Sequence, residues 1–233
     1  MNQMWRIFLT ACLMSAYLFA ESSASAAPVD DIIEYVRIID QSDPQSLIRS
    51  ATEEVQDEIR ARAIDPHDTV RIMDIINRDI LPYTNIHRTA QLAMGHYWKM
   101  ATPSQREEIT QQFQILLIHT YSGALGLLTP GMKFKYPAAP ASNNERDAVV
   151  RTIAAYNGDF VEIDYRLYRA SDGWRVYDIN LLGVWLVQVY KQQFSEAINR
   201  NGIDGFIRFL EDRNRKFHDE NQNKQLTMLT APQ

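Results

Sequence analysis

The chain has 233 residues, 45% hydrophobic and 23% charged, with a net charge of −5 and one cysteine, Cys12. This composition supports a globular core and argues against wholesale disorder. The acidic balance disfavours a nucleic-acid surface, and one cysteine rules out an intrachain disulfide, a cysteine-based zinc site and a cysteine redox pair.

Residues 1–26 read as a secretory signal. Arg6 gives a positive n-region, Ile7 to Ala20 is an apolar run too short for a comfortable membrane span, and Ala24-Ser25-Ala26 is an A-x-A cleavage pattern. Export is therefore expected, and a mature chain without cysteine fits a bacterial periplasm as well as any other compartment. Leu9-Thr10-Ala11-Cys12 offers a competing lipoprotein box, but the apolar run continues well past Cys12. After cleavage, a single domain is expected over 27–218, followed by a flexible tail at 219–233.

The first half of the domain reads helical. Val29 to Asp40 carries apolar residues at helical spacing. Asp43-Pro44 opens a second helix, with aspartate as N-cap and proline at the first helical position. Asp65-Pro66 repeats the device for a helix closed by Leu81-Pro82. One helix is expected over Ile86 to Lys99. Thr102-Pro103-Ser104-Gln105 then forms a capping box for a long helix running towards Leu128.

Strands follow. Met132 to Tyr136 and Ala148 to Tyr156 read as strands. Val161 to Leu167 alternates most cleanly, and Trp174 to Leu181 runs back after the Ser171-Asp172-Gly173 turn. Strict alternation would put Tyr177, Ile179 and Leu181 on one face and Trp174 and Val176 on the other. Two helices, Leu186 to Arg200 and Ile203 to Lys216, finish the domain. This order predicts an α+β fold, with helices packed on one face of an antiparallel sheet of about four strands.

Catalytic signatures are lacking in the sequence. His67, His87, His96, His119 and His218 form no close ligand pair, and there is no G-x-S-x-G elbow or P-loop. Acidic neighbours such as Glu53-Glu54 diverge around a helix and read as solvated faces. What stands out is the apolar and aromatic load of the long helix and of two strands, for which an ordinary core is the default reading.

Several collinear segments carry a resemblance. They include Leu81-Pro82-Tyr83, the run from Leu92 to Arg106, Asp164-Tyr165-Arg166-Leu167, the run from Asp172 to Ile179, Tyr190-Lys191-Gln192-Gln193-Phe194 and the run from Gly202 to Ile207. Together they resemble the toluene-tolerance (MlaC) family of periplasmic phospholipid carriers over roughly Asp43 to Leu210. The resemblance implies a non-catalytic, metal-free carrier without cofactor. It would hold acyl chains in an apolar cavity enclosed between a curved antiparallel sheet and its helices, and maintain outer-membrane lipid asymmetry. The implied partners are an outer-membrane lipoprotein complex and an inner-membrane lipid-binding and ABC-transporter complex, with the carrier monomeric.

On that basis the acyl chains are expected against Phe113, Leu117 and Tyr121 of the long helix. On the strands they are expected against Val161, Ile163, Tyr165 and Leu167, then Tyr177, Ile179 and Leu181, with Trp185 at the cavity rim. Three positions depart from the family pattern: Trp185 stands where serine is usual, Lys191 replaces arginine and Asn85 replaces aspartate. A hopanoid-type lipid is an alternative cargo. An adaptor or a secreted enzyme on a similar scaffold is an alternative function.

Overall fold

A computed structural model describes residues 39–65, 68–125, 131–138, 145–156 and 159–230. The signal segment and nearly all of the expected Val29 to Asp40 helix lie outside the described residues.

Helix α1 (Pro44–Ala61) starts as expected. Asp43 is extended, its Oδ1 accepts from Gln45 N and Ser46 N, and Pro44 fills the first helical position. The next helix starts later than the spacing predicts. The Asp65 carbonyl accepts from Asp68 N in a turn, and Asp68 then caps α2 (Thr69–Ile75) by accepting from Arg71 N. A π-turn at Ile76–Ile80 and a 3₁₀ turn at Leu81–Tyr83 follow. Pro82, with no N–H to donate, ends the helical ladder there.

Two helices replace the single one expected next: α3 (Ile86–Met94) and α4 (Tyr97–Met100). Gly95, with φ of 57°, breaks them apart. The capping box is formed as read: Thr102 N donates to Gln105 Oε1, and Gln105 N donates to Thr102 Oγ1. It opens α5 (Pro103–Leu125). The last helix, α6 (Leu186–Thr230), kinks at Gly202. It continues past the expected stop at Lys216 through the expected tail, because no glycine or proline falls between Gly205 and Pro232.

The sheet is an antiparallel meander of five strands in sequence order: β1 (Lys133–Lys135), β2 (Asp147–Tyr156), β3 (Asp159–Ala170), β4 (Gly173–Leu181) and β5 (Val184–Trp185). The fold is therefore α+β. The strand beyond the expected count is β5, only two residues long, and the opposite edge strand β1 has three. Short edges limit unwanted pairing with other chains.

A β-bulge decides which side chains share a face. Arg166 pairs with Asp178 but Leu167 pairs with Val176, so Tyr177 is the extra residue. The bulge carries Trp174 and Val176 onto the face of Ile179 and Leu181, here called the inner face. Tyr177 turns to the outer face. There its ring meets Tyr168 edge-on at 6.1 Å, and the Arg88 guanidinium covers both rings. The expected grouping along β4 is thus corrected.

Three separate buried clusters form. One joins α1 to the inner face through Leu47, Ile48, Val150, Leu167, Trp174 and Val176. A second is helical and centres on Phe113, Phe194 and Phe206. The third joins the end of α1 to α2 and the π-turn through Val55, Ile59, Ile72 and Ile75, with Ile118 of α5 packed against it. Helix α5 thus contributes to two clusters, which is why its apolar residues cover more than one side.

Candidate functional site

The inner face is unevenly covered. At one end Leu167 is fully buried and Val150, Trp174 and Val176 nearly so, under Leu47 and Ile48 of α1. At the other end Val161, Ile163, Ile179 and Leu181 are only half-buried. Register puts them in adjoining rows: Ile163 opposes Leu181, and Tyr165 opposes Ile179. Side chains opposite one another in an antiparallel pair share a face. The result is a patch of aliphatic side chains that the described residues cover only in part, with Tyr165 and Ile179 at the edge of the α1 cluster.

The polar groups beside this patch include a buried threonine and several phenols. Thr152 is buried between strands and donates to the Ile163 carbonyl. Burial pushes the Tyr165 hydroxyl up to about 12, against the opposing effect of its hydrogen bond with Thr152. Burial also raises Tyr136, and on the helices it raises Tyr121 and Tyr190. These phenols stay protonated at neutral pH, so Tyr165 and Tyr136 offer the patch hydroxyl dipoles, and the Arg49 guanidinium lies 4.6 Å from the Tyr136 ring centroid. Among the described residues there is no group of His, Cys, Asp and Glu placed to hold a metal ion. The half-buried His119 stacks on Phe217, and burial lowers its pKa.

The expected lining residues divide into groups. Val161, Ile163 and Leu181 come together on the open half of the inner face, and Tyr165 and Ile179 join them where that half meets the α1 cluster. Leu167 shares the face but is sealed beneath α1. Phe113 is fully buried in the helical core, its ring 4.8 Å from Tyr190 and 4.9 Å from Phe194. That core contains no strand residue. Leu117 and Tyr121 lie at its edge, half-buried. Tyr177 is on the outer face.

Trp185 also lies on the outer face, which corrects its placement at the cavity rim. It pairs with Asn180, whereas its neighbour Val184 pairs with the inward Leu181. The Arg166 guanidinium sits 3.7 Å from the Trp185 ring centroid and also donates to Asp178 Oδ2. An exposed cation–π contact contributes about 0.5–1 kcal/mol. Trp185→Ser should therefore lower stability by about 1–2 kcal/mol in urea unfolding, and lipid retained per folded molecule should not change.

Asp178 is a structural residue that sequence reasoning missed. Its side chain is 1% exposed, and its Oδ1 accepts from Ile179 N and from Val187 N at the start of α6. It caps that helix from a neighbouring strand, so no local capping motif announces it. Burial raises its pKa, opposed by the hydrogen bond from Val187 and the charge of Arg166. Asn85 also accounts for itself. Its Oδ1 accepts from Arg88 N, and its amide donates to the Tyr168 hydroxyl, which an aspartate could not do when ionised.

The model of the MlaC protein family matches residues 49–212. The chain belongs to the MlaC family. Among curated MlaC relatives, the intermembrane phospholipid transport system binding protein MlaC of Haemophilus influenzae is 26% identical over 174 residues. That match covers 72% of this chain and 81% of the relative. Toluene tolerance protein ttg2D of Pseudomonas putida is 23% identical over 163 residues, covering 69% of this chain and 75% of the relative. A solved structure of a phospholipid-binding protein from Ralstonia solanacearum, in complex with a phospholipid, matches with a TM-score of 0.70 and 35% identity. It covers 76% of this chain and 99% of that one. Among the described residues no helix is long and apolar enough to cross a membrane.

Proposed function

We propose that this protein is a periplasmic carrier that binds phospholipid acyl chains on the open half of the inner sheet face and moves lipid between membrane complexes. The observation that carries the reading is the incomplete cover over Val161, Ile163, Ile179 and Leu181, in a family whose solved relative was captured with a phospholipid. The physical need for a carrier is large. Each methylene gains about 0.8 kcal/mol on leaving water, so a sixteen-carbon chain opposes free aqueous transit by roughly 12 kcal/mol. A protein that crosses this gap must replace the bilayer interior with an apolar, uncharged surface, and this face has both properties.

On this reading the lipid itself completes the inner face where the described residues leave Val161, Ile163 and Leu181 half-buried. On this reading the protein acts as a carrier without catalysis, in keeping with its family. Direction of transport would come from the membrane complexes at either end, and traffic between them would maintain outer-membrane lipid asymmetry.

The test is organic extraction of the exported, purified protein, followed by lipid mass spectrometry. A near-stoichiometric phospholipid is the expected result. A hopanoid in its place would keep the carrier reading and change the cargo. Protein free of lipid under mild purification, and unable to take up phospholipid from mixed micelles, would support the adaptor reading instead.

A further inference from the structure

The outer face of the sheet carries a second apolar surface at the same end as the open half of the inner face. Alternation puts Phe160 and Glu162 outward on β3, while Val161 and Ile163 point inward. The outward rows read Lys135, Ile153, Glu162 and then Lys133, Ala155, Phe160 across β1, β2 and β3. The β4–β5 turn adds Leu182 and Gly183. Together these residues border a concavity of about 500 Å³ lined by Lys135, Ile153, Phe160, Glu162, Leu182 and Gly183.

Two features are hard to explain as packing. Phe160 is 65% exposed and Leu182 54% exposed, although both are large and apolar. Leu182 and Gly183 also occupy the centre of a two-residue turn with φ of 56° and 88°. Both positive angles mark a type I′ turn, where asparagine or glycine is favoured and a branched apolar side chain is strained. An exposed, strained leucine beside an exposed phenylalanine contributes nothing evident to the fold. Retained strain of this kind is a mark of function.

We propose that this concavity is a docking site for a protein partner, which inserts an apolar stripe flanked by acidic residues. The apolar centre of Ile153, Ala155, Phe160 and Leu182 would take the stripe, and Lys133 and Lys135 along β1 would take the acids. Neither lysine makes an ion pair with a described residue, and neither does Glu162. An apolar centre bordered by charges that pair with no described residue is the arrangement of a protein interface, in which anchors fill the middle and the rim excludes water. A bilayer fits less well. The surface is concave, and binding would drag the Glu162 carboxylate towards hydrocarbon in a chain that already carries −5.

The inference deepens the carrier reading by naming a partner surface. Val161 and Leu181 of the inner face are the chain neighbours of Phe160 and Leu182. A partner seated on the outer rim is thus one residue away from the open end of the lipid face.

The experiment is photo-crosslinking in cells, with benzoylphenylalanine in place of Phe160, and in place of the exposed helix residue Arg208 as control. Crosslinked segments are identified by mass spectrometry. The expected result is a protein segment with apolar residues flanked by Asp or Glu, linked from position 160 and not from 208. The matching synthetic peptide should bind the purified protein, and Lys133→Glu with Lys135→Glu should weaken that binding at least tenfold. Leu182→Asn with Phe160→Ser should do the same without lowering the melting temperature. Lipid content of every variant, measured in parallel, should equal wild type; lipid-free protein would fail the carrier reading and leave the peptide result to stand. The docking proposal is overturned by crosslinks to lipid, to a second copy of this chain or to nothing. It is equally overturned by flotation with phosphatidylglycerol vesicles that Leu182→Asn abolishes.

Discussion

Ile163→Asp should strip lipid from the protein while leaving it folded. Ile163 sits in the middle of the open half of the inner face, opposite Leu181, and is only half-buried. In the lipid-free protein a carboxylate there keeps access to water, so the expected stability loss is about 1 kcal/mol. In the loaded protein the same carboxylate would lie against an acyl chain, where an unpaired charge is far more costly. Lipid per folded molecule should fall at least tenfold, equivalent to about 1.4 kcal/mol of lost affinity. Ile179→Asp, one row along, should behave alike. Circular dichroism and lipid extraction on the same samples separate the two effects. A folded Ile163→Asp protein with a full lipid load would remove this residue from the site. A protein that fails to fold would show that the patch is ordinary core.

Phe113→Ala should do the reverse. Its side chain is fully buried, with the rings of Tyr190 and Phe194 against it and Phe206 beyond. Nothing around it can collapse readily into the gap, because α3, α5 and α6 are held together through the same cluster. Truncation of a buried phenylalanine costs about 3–5 kcal/mol through lost transfer energy and the remaining cavity. Urea unfolding should register that loss, while lipid per folded molecule stays at the wild-type level. A small stability change accompanied by lost lipid would return Phe113 to the lipid site.

The elements announced by local chemistry were legible in the sequence. Asp43-Pro44 and the Thr102 to Gln105 box each name their own helix start, because capping depends on side chains within a few residues. The alternation along Val161 to Leu167 gave both the strand and its inward residues. What could not be read depends on contacts between distant segments. Period two along β4 carries no mark of the bulge at Tyr177, so alternation alone puts Trp174 and Val176 on the wrong face. The bond from Val187 to Asp178 spans two elements, and the sequence near Leu186 has no cap of its own. The position after Gly183 suggests the rim for Trp185, but its pairing with Asn180 turns the side chain outward. The half-cover of the inner face is likewise a tertiary property. Periodicity supplies an apolar face and cannot say what lies over it.

The central claim is that acyl chains lie on the open half of the inner face. The most direct test loads the delipidated protein with a phospholipid bearing a diazirine in its acyl chain, followed by photolysis and tandem mass spectrometry. The account predicts labels on Val161, Ile163, Ile179 and Leu181. Labels confined to outer-face residues such as Phe160 and Trp185, with the inner face unmarked, would contradict it.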